Sequence, residues 1–187
     1  MSKIIALSCT HKPQNSLTDE YLAAAVEGYL EENTQDEVTV IRLINYRLKL
    51  CVGNDECLET GVCPLEDDFY EIIRLADGAV GLILCMPVYG GNVPSILKIF
   101  MERLKTFMKQ ERRPFGGLDV CTIVHSRAML TEAALGALSP WFMRLKNRNV
   151  VSVCLTKSGI SDMSQSRSHH LCRNAGAQLA IHINGLG

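Results

Sequence analysis

The residues able to do chemistry concentrate in three short stretches. The first, Ser8-Cys9-Thr10-His11-Lys12-Pro13-Gln14-Asn15-Ser16-Leu17-Thr18, follows an apolar run and leads into helical spacing. Free backbone N–H groups at a helix N-terminus, together with the helix dipole, favour a phosphate. Ser8, Thr10, Asn15, Ser16 and Thr18 can add donors, and Lys12 a positive charge. The same residues also suit an ordinary helix start with Asn15 or Ser16 as N-cap. The second stretch is Pro87-Val88-Tyr89-Gly90-Gly91-Asn92-Val93. Its glycines let backbone approach a flat ligand closely. Tyr89 offers an aromatic surface, and Asn92 both a donor and an acceptor. Read plainly, the stretch is a tight turn in which Asn92 caps the next helix. The third holds Cys51, Cys57 and Cys63 in polar surroundings. Three thiols can take zinc with an outside carboxylate such as Asp55 or Glu56. They can also leave Cys57 paired with Cys63, or all remain free. The C-x5-C-x5-C spacing is not a usual zinc pattern, so the expectation is free thiols and no metal. Cys85, Cys121 and Cys154 sit in apolar runs, where a thiol acts as a small buried hydrophobe. Neither G-x-G-x-x-G nor G-x-x-x-x-G-K-[ST] occurs, so the dinucleotide fingerprint and the nucleoside-triphosphate loop are unsupported.

Five β-rich runs position these stretches: Lys3–Cys9, Val38–Tyr46, Ala79–Pro87, Val120–Ser126 and Val150–Thr156. Each is rich in Val, Ile and Leu with little alternation, as strands covered on both faces are. Helical spacing separates them. Leu22, Val26, Tyr29 and Leu30 mark one helix. Phe69, Tyr70, Ile72 and Ile73 mark a shorter one, capped by Asp67 or Asp68. A long stripe runs from Val93 to Met108. A region from Leu130 to Lys146 is broken near Ser139-Pro140, and a last helix spans about Met163 to Ile181. Alternating strands and helices predict an α/β fold: a doubly wound, five-stranded parallel sheet of flavodoxin-like order, with helices on both faces. In such sheets ligands bind beyond the carboxyl ends of the strands. The loops that begin at about Ser8, Tyr46, Pro87, Ser126 and Thr156 therefore matter most.

Composition limits the partners. The 187 residues fit one domain, residues 1–187, without staples. A net charge of −1 excludes a protein held on nucleic acid or anionic lipid by bulk charge. The longest apolar run, Gly78 to Val88, is too short to span a membrane. The N-terminal apolar stretch, Ile4 to Leu7, is too short for a secretory signal, so a cytoplasmic protein is expected.

Pro87-Val-Tyr-Gly-Gly-Asn-Val, followed by Leu97-Lys98-Ile-Phe-Met-Glu102-Arg103, resembles the flavin-contacting segment of the NAD(P)H-dependent FMN reductase superfamily. Cys51-Val-Gly53-Asn54-Asp-Glu-Cys57, with Gly61, Cys63 and Asp67-Asp68, is similar to its iron–sulfur flavoprotein branch, with Asn54 where that branch has the second of four cysteines. The first loop resembles the superfamily's phosphate loop, and Leu171, Gly176 and Leu179 resemble its C-terminal helix. The resemblance implies non-covalent FMN with its phosphate held by Ser8, Thr10, Asn15 and Ser16. Pro87, Val88, Tyr89, Gly90, Gly91 and Asn92 would line the ring, and His125, Ser126 and Arg127 would face its pyrimidine side. Arg127 near that edge would stabilise the anionic reduced flavin; otherwise it is a surface charge. Departures are Leu7 and Thr10 in place of a glycine and an arginine, and a Val124–Ala128 loop without glycine.

The implied activity is transfer of hydride from NAD(P)H to FMN and then of electrons to a small acceptor, a quinone, flavin or similar, by an FMN-dependent oxidoreductase. No protein acid or base is assigned, because the flavin carries the chemistry. The alternative is an FMN electron-transfer protein serving a protein partner. A homodimer or homotetramer is implied, with Arg103 at a subunit interface. The basic residues Arg103, Lys105, Lys109, Arg112 and Arg113 can attract an NADPH phosphate or form a solvated, ion-paired helix end.

Overall fold

The computed structural model describes residues 1–111, 113–127, 130–156 and 162–185. Strands β1 (Lys3–Ser8), β2 (Glu37–Arg42), β3 (Gly81–Pro87), β4 (Asp119–Ser126) and β5 (Arg148–Thr156) form one parallel sheet in the order β2-β1-β3-β4-β5. This is the expected flavodoxin-like α/β fold. The helices are α1 (Leu17–Glu32), α2 (Glu56–Thr60), α3 (Phe69–Leu75), α4 (Ser95–Arg103), α5 (Thr131–Gly136), α6 (Ser139–Leu145) and α7 (Asp162–Asn184). Among the described residues, no helix is long and apolar enough to cross a membrane.

The central strands lack polar alternation because both their faces are covered. Ile4, Ala6, Ile83, Cys85, Cys121 and Ile123 pack with residues of α1 and α7. Ile5, Leu7, Leu82, Leu84, Met86, Val120 and Val124 pack in the opposite layer with residues of α3 to α6. Where α1 crosses α7, glycines let the backbones meet. A Cβ at Gly28 would run into the Arg173 carbonyl, and one at Gly176 into the Ala25 carbonyl.

Several boundaries differ from the sequence pattern for local reasons. The second run stops as a strand at Arg42, and Leu43–Asn45 form a 3-10 turn. Leu43 is fully buried there, which kept the apolar signal going. The Val93–Met108 stripe becomes helical only after Pro94 and tightens to 3-10 geometry over Leu104–Phe107. The break near Ser139-Pro140 falls two residues earlier, at residues 137–138. Pro140 then sits in the first turn of α6, where its missing N–H costs little.

The basic cluster requires a correction. Arg103 lies neither on a solvated helix end nor at a subunit surface: it is only 1% exposed. Its guanidinium holds Asp67 at 2.6 and 3.1 Å, donates to the Lys49 carbonyl at 3.1 Å, and lies 4.6 Å over the Phe69 ring. The neighbouring charges follow the ordinary surface pattern. Lys105 pairs with Asp55, Lys98 with Glu102, and Arg113 donates to the Arg144 carbonyl. Arg112 and Ala128 lie outside the described residues.

Candidate functional site

The register of the sheet brings the loops together. Pro87 lies beside His125, and the Val88 amide donates to the His125 carbonyl at 2.9 Å. Ser8 lies beside Cys85, and the Cys9 amide donates to the Cys85 carbonyl at 3.0 Å. Beyond these carboxyl ends opens a cleft of about 710 Å³. Thr10, Asn15, Ser16, Pro87, Val88, Tyr89, Gly90, Gly91, His125, Ser126 and Arg127 all line it, as do Lys12 and Thr18. Ser8 and Asn92, the other two residues singled out for cofactor contact, stand apart from it.

One end of the cleft is lined by Thr10, Lys12, Asn15 and Ser16. Ser16 caps α1, its Oγ accepting from the Thr18 amide at 3.2 Å. Thr10 is buried, and its Oγ1 accepts from the Lys12 amide at 3.1 Å and from Ser16 Oγ at 3.0 Å. With both lone pairs used, the Thr10 hydroxyl has its own hydrogen to give. Asn15 takes a left-handed φ of 51°, which Asn tolerates better than most residues. Ser16 takes the first amides of α1, Thr18 on its Oγ and Asp19 on its carbonyl at 2.9 Å, so the Thr10 hydroxyl and the Lys12 charge are the donors this end offers.

Ser8 works from behind this loop. Its side chain is fully buried and donates to Asp19 Oδ1 at 2.6 Å. Asp19 Oδ2 receives Arg42 at 2.6 Å, and Arg42 also donates to the carbonyls of Lys12 and Pro13 at 3.2 and 3.1 Å. This network ties the loop to β1, β2 and α1. Asp19 and Arg42 had carried no signal in the sequence, because their partners are up to 30 residues away.

The glycine stretch forms a two-residue hairpin. Tyr89 and Asn92 exchange N–H···O bonds, both 3.1 Å, around Gly90 (φ 56°) and Gly91 (φ 75°). Positive φ at both central positions defines a type I′ turn, which favours Gly-Gly. Asn92 is exposed, and its Oδ1 accepts from the Val93 amide at 2.8 Å. It closes the turn; α4 begins after Pro94 without a side-chain cap. Tyr89 is stacked on its outer side by His11, with ring centroids 4.6 Å apart. Leu130, Leu17, Glu20 and Gln165 complete the wall.

His125, on the cleft wall, is displaced from its ordinary titration. Its Nε2 lies 2.8 Å from Thr18 Oγ1, and Tyr21 meets the ring edge-on. Burial first, and then the nearby Lys12 charge, lower its pKa to about 4. The imidazole is therefore neutral at pH 7. Between the ordinary value near 6.5 and about 4, the unfolded chain takes up a proton that the folded chain refuses. Stability falls as pH drops through that window, by up to roughly 3 kcal/mol from this group. His125→Gln is expected to remove that part of the acid loss, as read from urea midpoints at pH 7 and pH 4.5. Equal acid losses in variant and parent would contradict the burial.

All eight cysteines are free thiols. Burial raises the pKa of Cys9, Cys85, Cys121 and Cys172, the last to about 12, and Cys154 is half-buried with its pKa raised by the same cause. Cys57 and Cys63 are buried without pairing.

The fold is a flavodoxin-like α/β sheet, with a cleft lined by the loop after β1, the glycine turn after β3 and the end of β4. The family model for NADPH-dependent FMN reductases matches residues 2–158, and the chain belongs to that family. An iron-sulfur flavoprotein of Methanocaldococcus jannaschii is 36% identical over 101 residues, 54% of this chain and 51% of that protein. One from Methanosarcina thermophila is 29% identical over 85 residues, 46% of this chain and 44% of its own length. The matches thus span about half the length of these curated relatives, or less. Among solved structures, an azoreductase of Bacillus anthracis superposes with a TM-score of 0.72 at 13% identity, over 96% of this chain and 99% of that one. An NAD(P)H:quinone oxidoreductase of Methanothermobacter marburgensis gives 0.70 at 17% identity, over 95% and 96%.

Proposed function

We propose that this protein is an FMN-dependent oxidoreductase that takes reducing equivalents from NAD(P)H and delivers them to a small acceptor such as a quinone or a free flavin. The cleft beyond β1, β3 and β4 carries this reading, because its two halves match the two halves of FMN. The Thr10–Ser16 end supplies the Thr10 hydroxyl and the Lys12 charge for a phosphate. The Gly90-Gly91 turn presents bare backbone, and the side of the cleft formed by Val88, Tyr89 and Leu130 is apolar or aromatic, as an isoalloxazine ring requires. FMN held there would supply the redox chemistry, a hydride acceptor for the nicotinamide and a reductant for the small acceptor. The chain's own residues bind and orient. The Ser8–Asp19–Arg42 network fixes the phosphate loop, and the His11 stack fixes Tyr89. His125 keeps Thr18 in place without adding charge. Arg127 is the cation of the opposite lip and would favour the anionic reduced ring.

The single domain, a cytoplasmic location and a homodimer or homotetramer belong to the same proposal. The names of the curated relatives favour a second reading, an FMN carrier for a protein partner. One experiment separates the two: a visible spectrum of the protein purified without air, followed by NAD(P)H. Flavin bands that bleach with NAD(P)H at a catalytic rate support the enzyme; bands that persist favour the carrier. A colourless protein that ignores added FMN overturns both.

The phosphate end has its own test. Thr10→Val is expected to weaken FMN binding roughly 10- to 100-fold, the effect of losing one hydrogen bond to a charged group. Quenching of flavin fluorescence on titration measures this. Affinity for riboflavin, which has no phosphate, is expected to be unchanged.

A further inference from the structure

The curated relatives are iron-sulfur flavoproteins, and the segment between β2 and α3 has the layout of a cluster loop. Clusters are held by cysteine thiolates, and a common run is C-x2-C-x2-C. Here the run is Cys51-x2-Asn54-x2-Cys57, with Cys63 further on. An amide cannot replace a terminal thiolate ligand, since it neither ionises in this range nor offers a soft donor.

The geometry goes further than the missing thiol. Asn54 lies between two left-handed residues, Gly53 (φ 71°) and Asp55 (φ 58°), and its exposed amide donates to Glu56 Oε2 at 3.3 Å. Cys57 is buried, and its carbonyl receives Thr106 Oγ1 at 3.4 Å. Cys63 Sγ accepts from Arg103 Nε at 3.1 Å, while the rest of that guanidinium is taken by Asp67 and the Lys49 carbonyl. Lys105 beside Cys51 is held by Asp55 at 2.6 Å. A four-thiolate cluster is anionic and needs positive or donor groups around it. The two cations bordering this segment already carry carboxylates. Among the described residues, no three of His, Cys, Asp and Glu stand close enough to hold a metal ion.

We infer that the 51–63 segment holds no iron–sulfur cluster, that Asn54 is the residue responsible, and that the segment instead serves as a clasp that fastens α2 and Cys63 to Arg103, Lys105 and Thr106. The test is the iron and acid-labile sulfide content of the protein, made with a cluster-assembly system co-expressed and purified without air, beside the N54C variant. The unsubstituted protein is expected to carry neither element. N54C is expected to gain both, with a broad brown absorbance. Stoichiometric iron and sulfide in the unsubstituted protein overturn the inference. An N54C variant that stays free of iron overturns the assignment to residue 54. Flavin released by denaturation is counted in the same samples. Its absence would speak against the proposed FMN enzyme and leave the cluster result readable.

Discussion

Gly176→Ala is expected to destabilise the protein by roughly 3 kcal/mol, lowering its melting temperature by roughly 10 °C. The added methyl meets backbone, the Ala25 carbonyl, not the flexible end of a side chain. The only relief is for α7 to move off α1, which loosens the packing of Leu22, Ala25, Tyr29, Cys172, Ala175 and Leu179. Gly28→Ala is expected to do the same from the other helix, against the Arg173 carbonyl. The control is Gly136→Ala in α5, where a Cβ meets open space. There the gain in helix propensity is expected to stabilise by about 0.5–1 kcal/mol. Similar thermal shifts at 136 and 176 would contradict the interlocked crossing.

Asp67→Ala is expected to cost about 3–5 kcal/mol, because it leaves the Arg103 charge buried and unpaired. The two side chains are 0% and 2% exposed, so water screens neither. Burial alone would push the Asp67 carboxyl up. Hydrogen bonds from Arg103 and from the Lys49 and Phe69 amides outweigh it and hold the pKa below its ordinary value. The contribution is therefore complete above the ordinary carboxylate range and is lost as pH falls through the lowered value. Removing both charges is a different change from removing one. Asp67→Leu with Arg103→Met is expected to recover most of the loss, since an apolar pair of similar volume replaces the ion pair. Urea midpoints of the two single variants and the double variant measure the coupling. A double variant as unstable as the sum of the singles would contradict the pairing.

The sequence carried the sheet, because strand runs covered on both faces leave an unbroken apolar signal. It also carried most of the cleft wall, because glycines and hydroxyls sit in loops directly after β1 and β3. It failed where function depends on a partner remote in sequence. Arg103 reads as a surface cation until Asp67, 36 residues away, is brought beneath it. Ser8 reads as a ligand donor until Asp19 claims its hydroxyl. Asn92 reads as a cap, yet the helix it seemed to cap starts after Pro94. Gln165 gave no signal, since its place on the cleft wall depends on how α7 lies against α1 and Glu20.

The crossing of α1 and α7 also orders events during synthesis. Helix α7 emerges after all five strands, and its ion pair from Arg173 to Glu31 closes a separation of 142 residues. Such long-range closure carries a large entropic cost before contacts repay it. The face of the sheet that carries Ile4, Ala6, Ile83 and Cys85 thus stays half-bare on the ribosome while the opposite layer can already pack. A nascent chain arrested before residue 162 presents that apolar face to chaperones. In pulse-labelled refolding, the amides of α7 are then expected to become protected from exchange with solvent after those of the opposite layer.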